Sequence, residues 1–140
     1  MTKKIILAAD HAGFKLKQFL LNNMENKKFN LIDIGTYNES SVDYPDVANL
    51  LAKNISNGDI GILICGTGIG VSIAANRHRH IRAALCHNQE YAKLARQHNN
   101  ANVLVLGARY INEQDALLIL DIFLNTEFSG GRHAIRVAKL

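Results

Sequence analysis

The sequence predicts an α/β protein in which about five parallel strands form the middle layer of a three-layer α/β/α sandwich. Three observations predict it. Short apolar runs alternate along the chain with segments of helical periodicity. Gly35, Gly66 and Gly107 punctuate the ends of three of those runs. One run, Ile60–Cys65, is apolar or glycine at every position, as a strand covered on both faces should be. Strands separated by helices of roughly 8–15 residues make βαβ units and a parallel sheet. Right-handed crossovers then place helices on both faces, a Rossmann-like arrangement.

The elements follow in order. Lys4–Ala9 is an isoleucine-rich run interrupted by Asp10-His11-Ala12-Gly13. Leu16, Phe19, Leu20 and Met24 recur at helical spacing. Phe29–Asp33 is a second strand candidate, ended by Gly35. Asp43 reads as a helix cap with Pro45 in the first turn, and Val47, Leu50, Leu51 and Ile55 supply the apolar face. Ile60–Cys65 runs into Gly66-Thr-Gly-Ile-Gly70 and a small-residue helix, Val71–Asn76. Ile81–Cys86 is the fourth strand, Gln89–His98 a helix, and Asn102–Leu106 the fifth strand, closed by Gly107. Gln114–Thr126 is a helix apolar nearly all round, which predicts burial on more than one side, by a deep core or by a subunit interface. Gly130-Gly131 breaks the chain before a last short helix, Arg132–Leu140. No repeat or linker interrupts the pattern, so residues 1–140 read as a single domain.

Composition narrows the function. With 16 Lys+Arg against 12 Asp+Glu the net charge is +4, and 48% of residues are hydrophobic. That length argues against a cofactor domain joined to a separate substrate domain. Cys65 and Cys86 both lie in apolar runs and make no disulfide framework, which fits a reducing compartment. Asp10 and His11 interrupt the first apolar run before a signal-peptide core could form, and the most apolar stretch, Ala116–Leu124, is far short of the ~20 residues of a membrane span. A soluble cytoplasmic protein with no membrane partner is expected. The basic cluster Arg77, His78, Arg79, His80 and Arg82 lacks interleaved aromatics and reads as a solvated face, so no nucleic-acid partner is expected.

In open α/β sheets, ligands bind outside the carboxyl ends of the strands. Asp10 and His11 follow the first strand, Cys65 and the glycine loop the third, His87 and Asn88 the fourth, Gly107 and Arg109 the fifth. His98, Asn99 and Asn100 end the fourth helix, and all of these groups are expected on one rim. The loop Gly66-x-Gly68-x-Gly70 opens a helix, so its amides can turn toward one point where the helix dipole adds positive potential. It is not the dinucleotide fingerprint, because the third glycine comes one residue early, and no Gly-Lys-Ser/Thr follows it. It is an anion site or merely a tight turn. A thiol placed like Cys65 before a helix N-terminus is a candidate base or nucleophile; Cys86, with no such loop behind it, reads as core. Arg132 and Arg136 share one helix face and suit a phosphate or carboxylate, with His11 and Arg109 as possible companions. The six histidines show no H-x-x-x-H spacing and the cysteines no C-x-x-C, so no metal is expected. No G-x-S-x-G elbow marks a serine hydrolase.

Several collinear segments carry a resemblance. Ala9-Asp-His-Ala-Gly-Phe14, Asp33-Ile-Gly-Thr36, Ser41-Val-Asp-Tyr-Pro45, Gly61–Gly70, Ser72–Asn76, Arg96-Gln-His-Asn99, Gly107-Ala-Arg109 and Gly130-Gly-Arg-His133 together resemble the ribose-5-phosphate isomerase B family, whose wider circle includes galactose-6-phosphate isomerase subunits. The resemblance implies a cofactor-free aldose–ketose isomerase acting on ribose 5-phosphate and ribulose 5-phosphate. It implies Cys65 as the base moving a proton between C2 and C1, His98 assisting ring opening with Asp10 nearby, and Gly66, Thr67, Gly68, Ile69 and Gly70 as the cradle of the enediolate oxygens, Thr67 belonging to the catalytic set. Asn99 matches a substrate contact, and His11, Arg109, Arg132 and Arg136 match the phosphate set. A branch of the family uses glutamate where this chain has Val71, so Cys65 with Val71 resembles the cysteine branch. The resemblance also implies a homodimer or homotetramer with active sites shared between subunits. A hexose 6-phosphate isomerase and a non-catalytic sugar-phosphate sensor remain the alternative readings.

Overall fold

The structure is a computed structural model that describes residues 3–24 and 29–140. In chain order it contains β1 (Lys3–Ala9), α1 (Phe14–Asn23), β2 (Phe29–Asp33), α2 (Tyr44–Asn54), β3 (Ile60–Cys65), α3 (Ile69–Ala75), β4 (Ala83–Leu85), α4 (Gln89–Asn99), β5 (Val103–Gly107), α5 (Glu113–Asn125) and α6 (Arg132–Val137). The five strands form one sheet in the order β2-β1-β3-β5-β4, and every pair is parallel.

The pleat divides the core in two. Ile5, Leu7, Ala9, Ile62, Ile64, Leu104 and Leu106 face the layer built with α1, α4 and α5. Ile6, Ala8, Leu63, Cys65, Val103 and Val105 face the layer of α2 and α3, against Leu51, Val71 and Ala75. Successive residues of a strand point to opposite faces, so a continuous apolar run such as β3 feeds both layers. That is the predicted α/β/α sandwich.

Local details depart from expectation in four places. The fourth strand is three residues, not Ile81–Cys86, because it lies at the sheet edge and Arg82 gives its N–H to the Asn102 side chain (2.7 Å) instead of a strand carbonyl. The helix after the glycine loop begins at Ile69, before Val71, since Gly68 at φ +80° turns the chain directly into it. Asp43 stands at the N-cap of α2, but its side chain caps nothing there; Pro45 at the helix start does the ordering. The last helix stops at Val137, short of Leu140. On α5, Ala116, Ile119, Leu120 and Phe123 are buried while Leu118 is half exposed, so core packing covers most of its apolar circumference.

The strand order locates a crevice. The chain leaves β1 for β2 on one side, then crosses to β3 on the other. Helices therefore diverge between β1 and β3, and a gap opens at the carboxyl ends of those strands. No helix among the described residues is long and apolar enough to cross a membrane.

Candidate active site

Cys65 is the last residue of β3 and is 5% exposed. Its sulfur accepts a hydrogen bond from the Gly68 amide at 3.1 Å. The glycine loop thus sets one N–H against the sulfur, just before the first turn of α3. The turn that makes this contact needs Gly68, whose φ of +80° suits glycine and whose hydrogen faces Leu85, 2.5 Å from where a Cβ would sit. Thr67 Oγ1 accepts the Ile69 amide at 3.1 Å and closes the loop. The first-turn amides of Gly70 and Val71 have no intrahelical acceptor and remain for an anion.

Neighbouring elements line the same rim. Asp10 follows β1, is 7% exposed, and takes the Gly13 amide on Oδ1 at 3.1 Å. Its own amide bonds the Ile64 carbonyl of β3 (3.0 Å), which ties the two strand ends across the crevice. His11 Nδ1 accepts the Val42 amide at 3.2 Å, which leaves the ring proton on Nε2. Arg109 follows β5; its amide bonds the Gly66 carbonyl (3.0 Å) and its guanidinium lies over Gly66, 2.7 Å from where a Cβ would be. Tyr44 covers Gly70 in the same way, at 2.6 Å. The sequence motif contained Tyr44 without giving it a place; only the fold stands its ring over the loop.

The remaining site residues lie elsewhere in the chain. The expectation that His98 and Asn99 share this rim is corrected. α4 starts at the carboxyl end of β4 and runs back, so its last turn reaches the amino ends of the strands. There Arg82, just before β4, donates from Nε to the Asn100 carbonyl at 2.7 Å. β5 alone is five residues, so roughly 16 Å of sheet separates the two ends. Arg132 and Arg136 belong with that second group. His133 of α6 stacks on His98 with ring centroids 4.2 Å apart, and the Ser129 amide bonds the Gln97 carbonyl. The candidate residues therefore fall into two groups, here called half-sites, at opposite ends of the sheet: Cys65, its loop, Asp10, His11 and Arg109 in one, and His98, Asn99, Arg132 and Arg136 in the other.

Arg96 anchors the second half-site. It is nearly buried, donating from Nη1 to the Asn100 side chain and the Ala101 carbonyl and from Nε to the Thr126 carbonyl. Burial first, then Arg82 nearby, lowers its pKa, with Glu127 opposing. These carbonyls end α4 and α5, where a cation complements the helix dipoles. Periodicity alone could not reveal that duty, because its partners lie on other elements.

His133 makes a pH prediction. Desolvation against its neighbours, then the charges of His98, Arg132 and Arg136, hold its imidazole below the usual 6.5. Released from the stack it binds a proton more readily, so docking of α6 is complete above the ordinary value and weakens as pH falls through it. Amide exchange across Arg132–Val137, corrected for intrinsic rates, is expected to accelerate from about pH 8 to about pH 5. A flat profile would count against the stack as the tether.

Burial pushes the Cys86 thiol up to about 12, and no glycine loop adjoins it. Among the described residues no three His, Cys, Asp or Glu side chains gather as a metal site would require.

Residues 5–140 match the family described as Ribose/Galactose Isomerase. The chain belongs to that family. A putative sugar phosphate isomerase of Rickettsia bellii (strain RML369-C) is 48% identical, with 99% of this chain and 98% of the relative aligned. Among solved structures of the family, a ribose 5-phosphate isomerase from Thermotoga maritima is 52% identical at a TM-score of 0.94, covering 99% of this chain and 97% of that one. Ribose-5-phosphate isomerase B from Mycoplasma genitalium, solved with bound ribulose-5-phosphate, is 44% identical at a TM-score of 0.90, covering 99% and 94%. A ribose/galactose isomerase fold thus spans nearly the whole chain, with Cys65 and its glycine loop at the carboxyl rim of the sheet.

Proposed function

We propose that this chain interconverts ribose 5-phosphate and ribulose 5-phosphate through an enediolate. One observation carries the reading: the Cys65 sulfur sits under the Gly68 amide at the mouth of the β1/β3 crevice, with Asp10, His11 and Arg109 around it. The bound ribulose-5-phosphate in the Mycoplasma genitalium relative supports the pentose over a hexose.

The chemistry needs a base, an oxyanion site and a handle. With the sugar open, the Cys65 thiolate removes the C2 proton of the aldose, and the electron pair moves onto the carbonyl oxygen. The resulting enediolate oxygens lie against the loop amides and Thr67. The proton on O2 passes to O1 as the thiol returns its own proton to C1, giving the ketose. A proton alpha to a carbonyl is weakly acidic, so fixed N–H dipoles that stabilise the oxyanion count for more than base strength. His11 and Arg109 hold the phosphate, whose binding energy keeps the carbons in reach of the sulfur.

The two half-sites meet between two copies of the chain. Ile69 and Ile73, one turn apart on α3 beside the loop, are 56% and 60% exposed, and α6 buries none of its side chains in the single chain. Both surfaces await cover. A two-fold pair would bring His98 of the partner subunit to the ring oxygen opposite Asp10, with Asn99 of the partner subunit on the sugar and the partner's Arg132 and the partner's Arg136 on the phosphate. Mixing inactive Cys65→Ala and His98→Ala proteins is then expected to restore roughly a quarter of wild-type turnover, since half of randomly paired dimers hold one intact site of two. No recovery after exchange of subunits would place every site within one chain.

The deciding experiment is an NMR assay of purified protein with ribose 5-phosphate. Appearance of ribulose 5-phosphate, with solvent deuterium entering the exchanged carbon, is the expected result. Faster turnover of allose or galactose 6-phosphate would move the assignment to a hexose substrate, and tight binding without conversion would make the chain a sensor.

A further inference from the structure

We infer that Lys17, a residue outside the site, is a positioning residue that fixes His11 in one tautomer through the β2–α2 loop; the consequence for the phosphate rests on the function proposed above. Lys17 lies on α1 with its side chain 0% exposed. Its ammonium pairs with the carboxylate of Asp33 at the end of β2 and sits between the rings of Phe14 and Tyr37, 5.6 and 5.5 Å from their centroids. A buried ammonium is costly, and an apolar residue of similar volume would commonly serve stability as well. Stability is therefore a poor account of why the charge is there.

The carboxylate it holds organises the segment that follows. Asp33 Oδ1 also accepts the Gly35 amide at 2.9 Å, and Tyr37 returns its hydroxyl to the Asp33 carbonyl at 3.2 Å. Gly35 and Thr36 then clasp Ala9 from both sides, Ala9 N–H to the Gly35 carbonyl and Thr36 N–H to the Ala9 carbonyl, each at 2.8 Å. Ala9 immediately precedes Asp10 and His11. Further along the same loop, the Val42 amide reaches His11 Nδ1. The ion pair thus holds the backbone just before His11 and the start of the loop whose far end carries the donor to one of its ring nitrogens. With Nδ1 taken by an N–H, the imidazole presents Nε2–H outward, as a donor to a phosphate oxygen.

The test uses the full-length protein and the double substitution Lys17→Met with Asp33→Asn, which removes both charges yet leaves an amide oxygen for Gly35 N–H. Long-range 1H–15N spectra of the unliganded wild type at neutral pH are expected to show His11 as the Nε2–H tautomer, and the folded double variant to show both tautomers. KM for ribose 5-phosphate is expected to rise about tenfold with kcat within threefold, the loss of one well-placed hydrogen bond. Turnover of unphosphorylated ribose should not change. A wild-type His11 protonated on Nδ1 would overturn the inference without any variant, and a folded variant with one tautomer and unaltered KM would do so too. If the double variant does not fold, the single Lys17→Met protein is read in the same way, its carboxylate being partly solvated already. The tautomer measurement needs no substrate, so an absence of isomerase activity would fail the proposed function without touching this inference.

Discussion

Cys65→Ala is expected to fold as the wild type does and to lose about a hundredfold to ten-thousandfold in turnover of ribose 5-phosphate. The substitution deletes one sulfur next to Val71 and Ala75, a small volume that should cost about 1 kcal/mol or less. What it removes from the reaction is the proton acceptor, and a placed general base contributes roughly 10²–10⁴ in rate. Cys65→Ser should be nearly as slow, because an aliphatic hydroxyl is a far weaker acid than a thiol and makes a poor base at neutral pH. The paired readouts are NMR turnover and a denaturant unfolding curve. A folded Ala variant within tenfold of wild type would reject the assigned base. Cys86→Ala makes the internal comparison: it should leave kcat intact, since the Cys86 thiol is held up near 12 and stays protonated.

Gly107→Ala is expected to damage both stability and catalysis, although Gly107 lies at the end of a strand and carries no chemistry of its own. A Cβ there would stand 2.4 Å from the Thr67 carbonyl oxygen and 2.6 Å from its carbonyl carbon. Both obstacles are backbone, so no side-chain rotation relieves them. The Gly66–Gly70 loop must withdraw by about 0.6 Å or more, the gap between 2.4 Å and the 3.0 Å that real contacts respect. That movement pulls on the Ala108 amide to Cys65 carbonyl bond (2.8 Å) and on the Arg109 amide to Gly66 carbonyl bond (3.0 Å). It also displaces the Gly68 amide from the sulfur. Overpacking of this kind costs about 1–3 kcal/mol, and a misplacement approaching 1 Å costs about a hundredfold in rate. Circular dichroism in denaturant and kcat of the folded fraction measure the two effects separately. Unchanged kcat would mean that the loop position is not what sets the rate.

Much of this molecule is written locally. Strand β3 is legible because six uncharged residues, all apolar but for Gly61, suit a strand covered on both faces, and the glycines after Cys65 announce a turn into a helix. The arginine pair on α6 is legible from its four-residue spacing. The limits of such reading are equally local. Lys17 falls in a stretch whose periodicity describes an ordinary amphipathic helix, and a lysine beside Leu16 and Leu20 reads as solvated. Its partner, Asp33, sits sixteen residues away at the end of another strand. Arg96 looks like a surface residue of α4 until the ends of α4 and α5 converge on it.

The residues after each strand, the thiol before the glycine turn and the alternation of elements were determined by sequence alone, because each depends on neighbours within a few positions. Tertiary structure decided the strand order, with β5 inserted between β3 and β4, and hence which strand ends border the crevice. It also decided that His98 and Cys65 lie at opposite ends of the sheet. A helix that returns a chain to a parallel strand must run against that strand, so its last residues arrive at the amino edge whatever chemistry they carry.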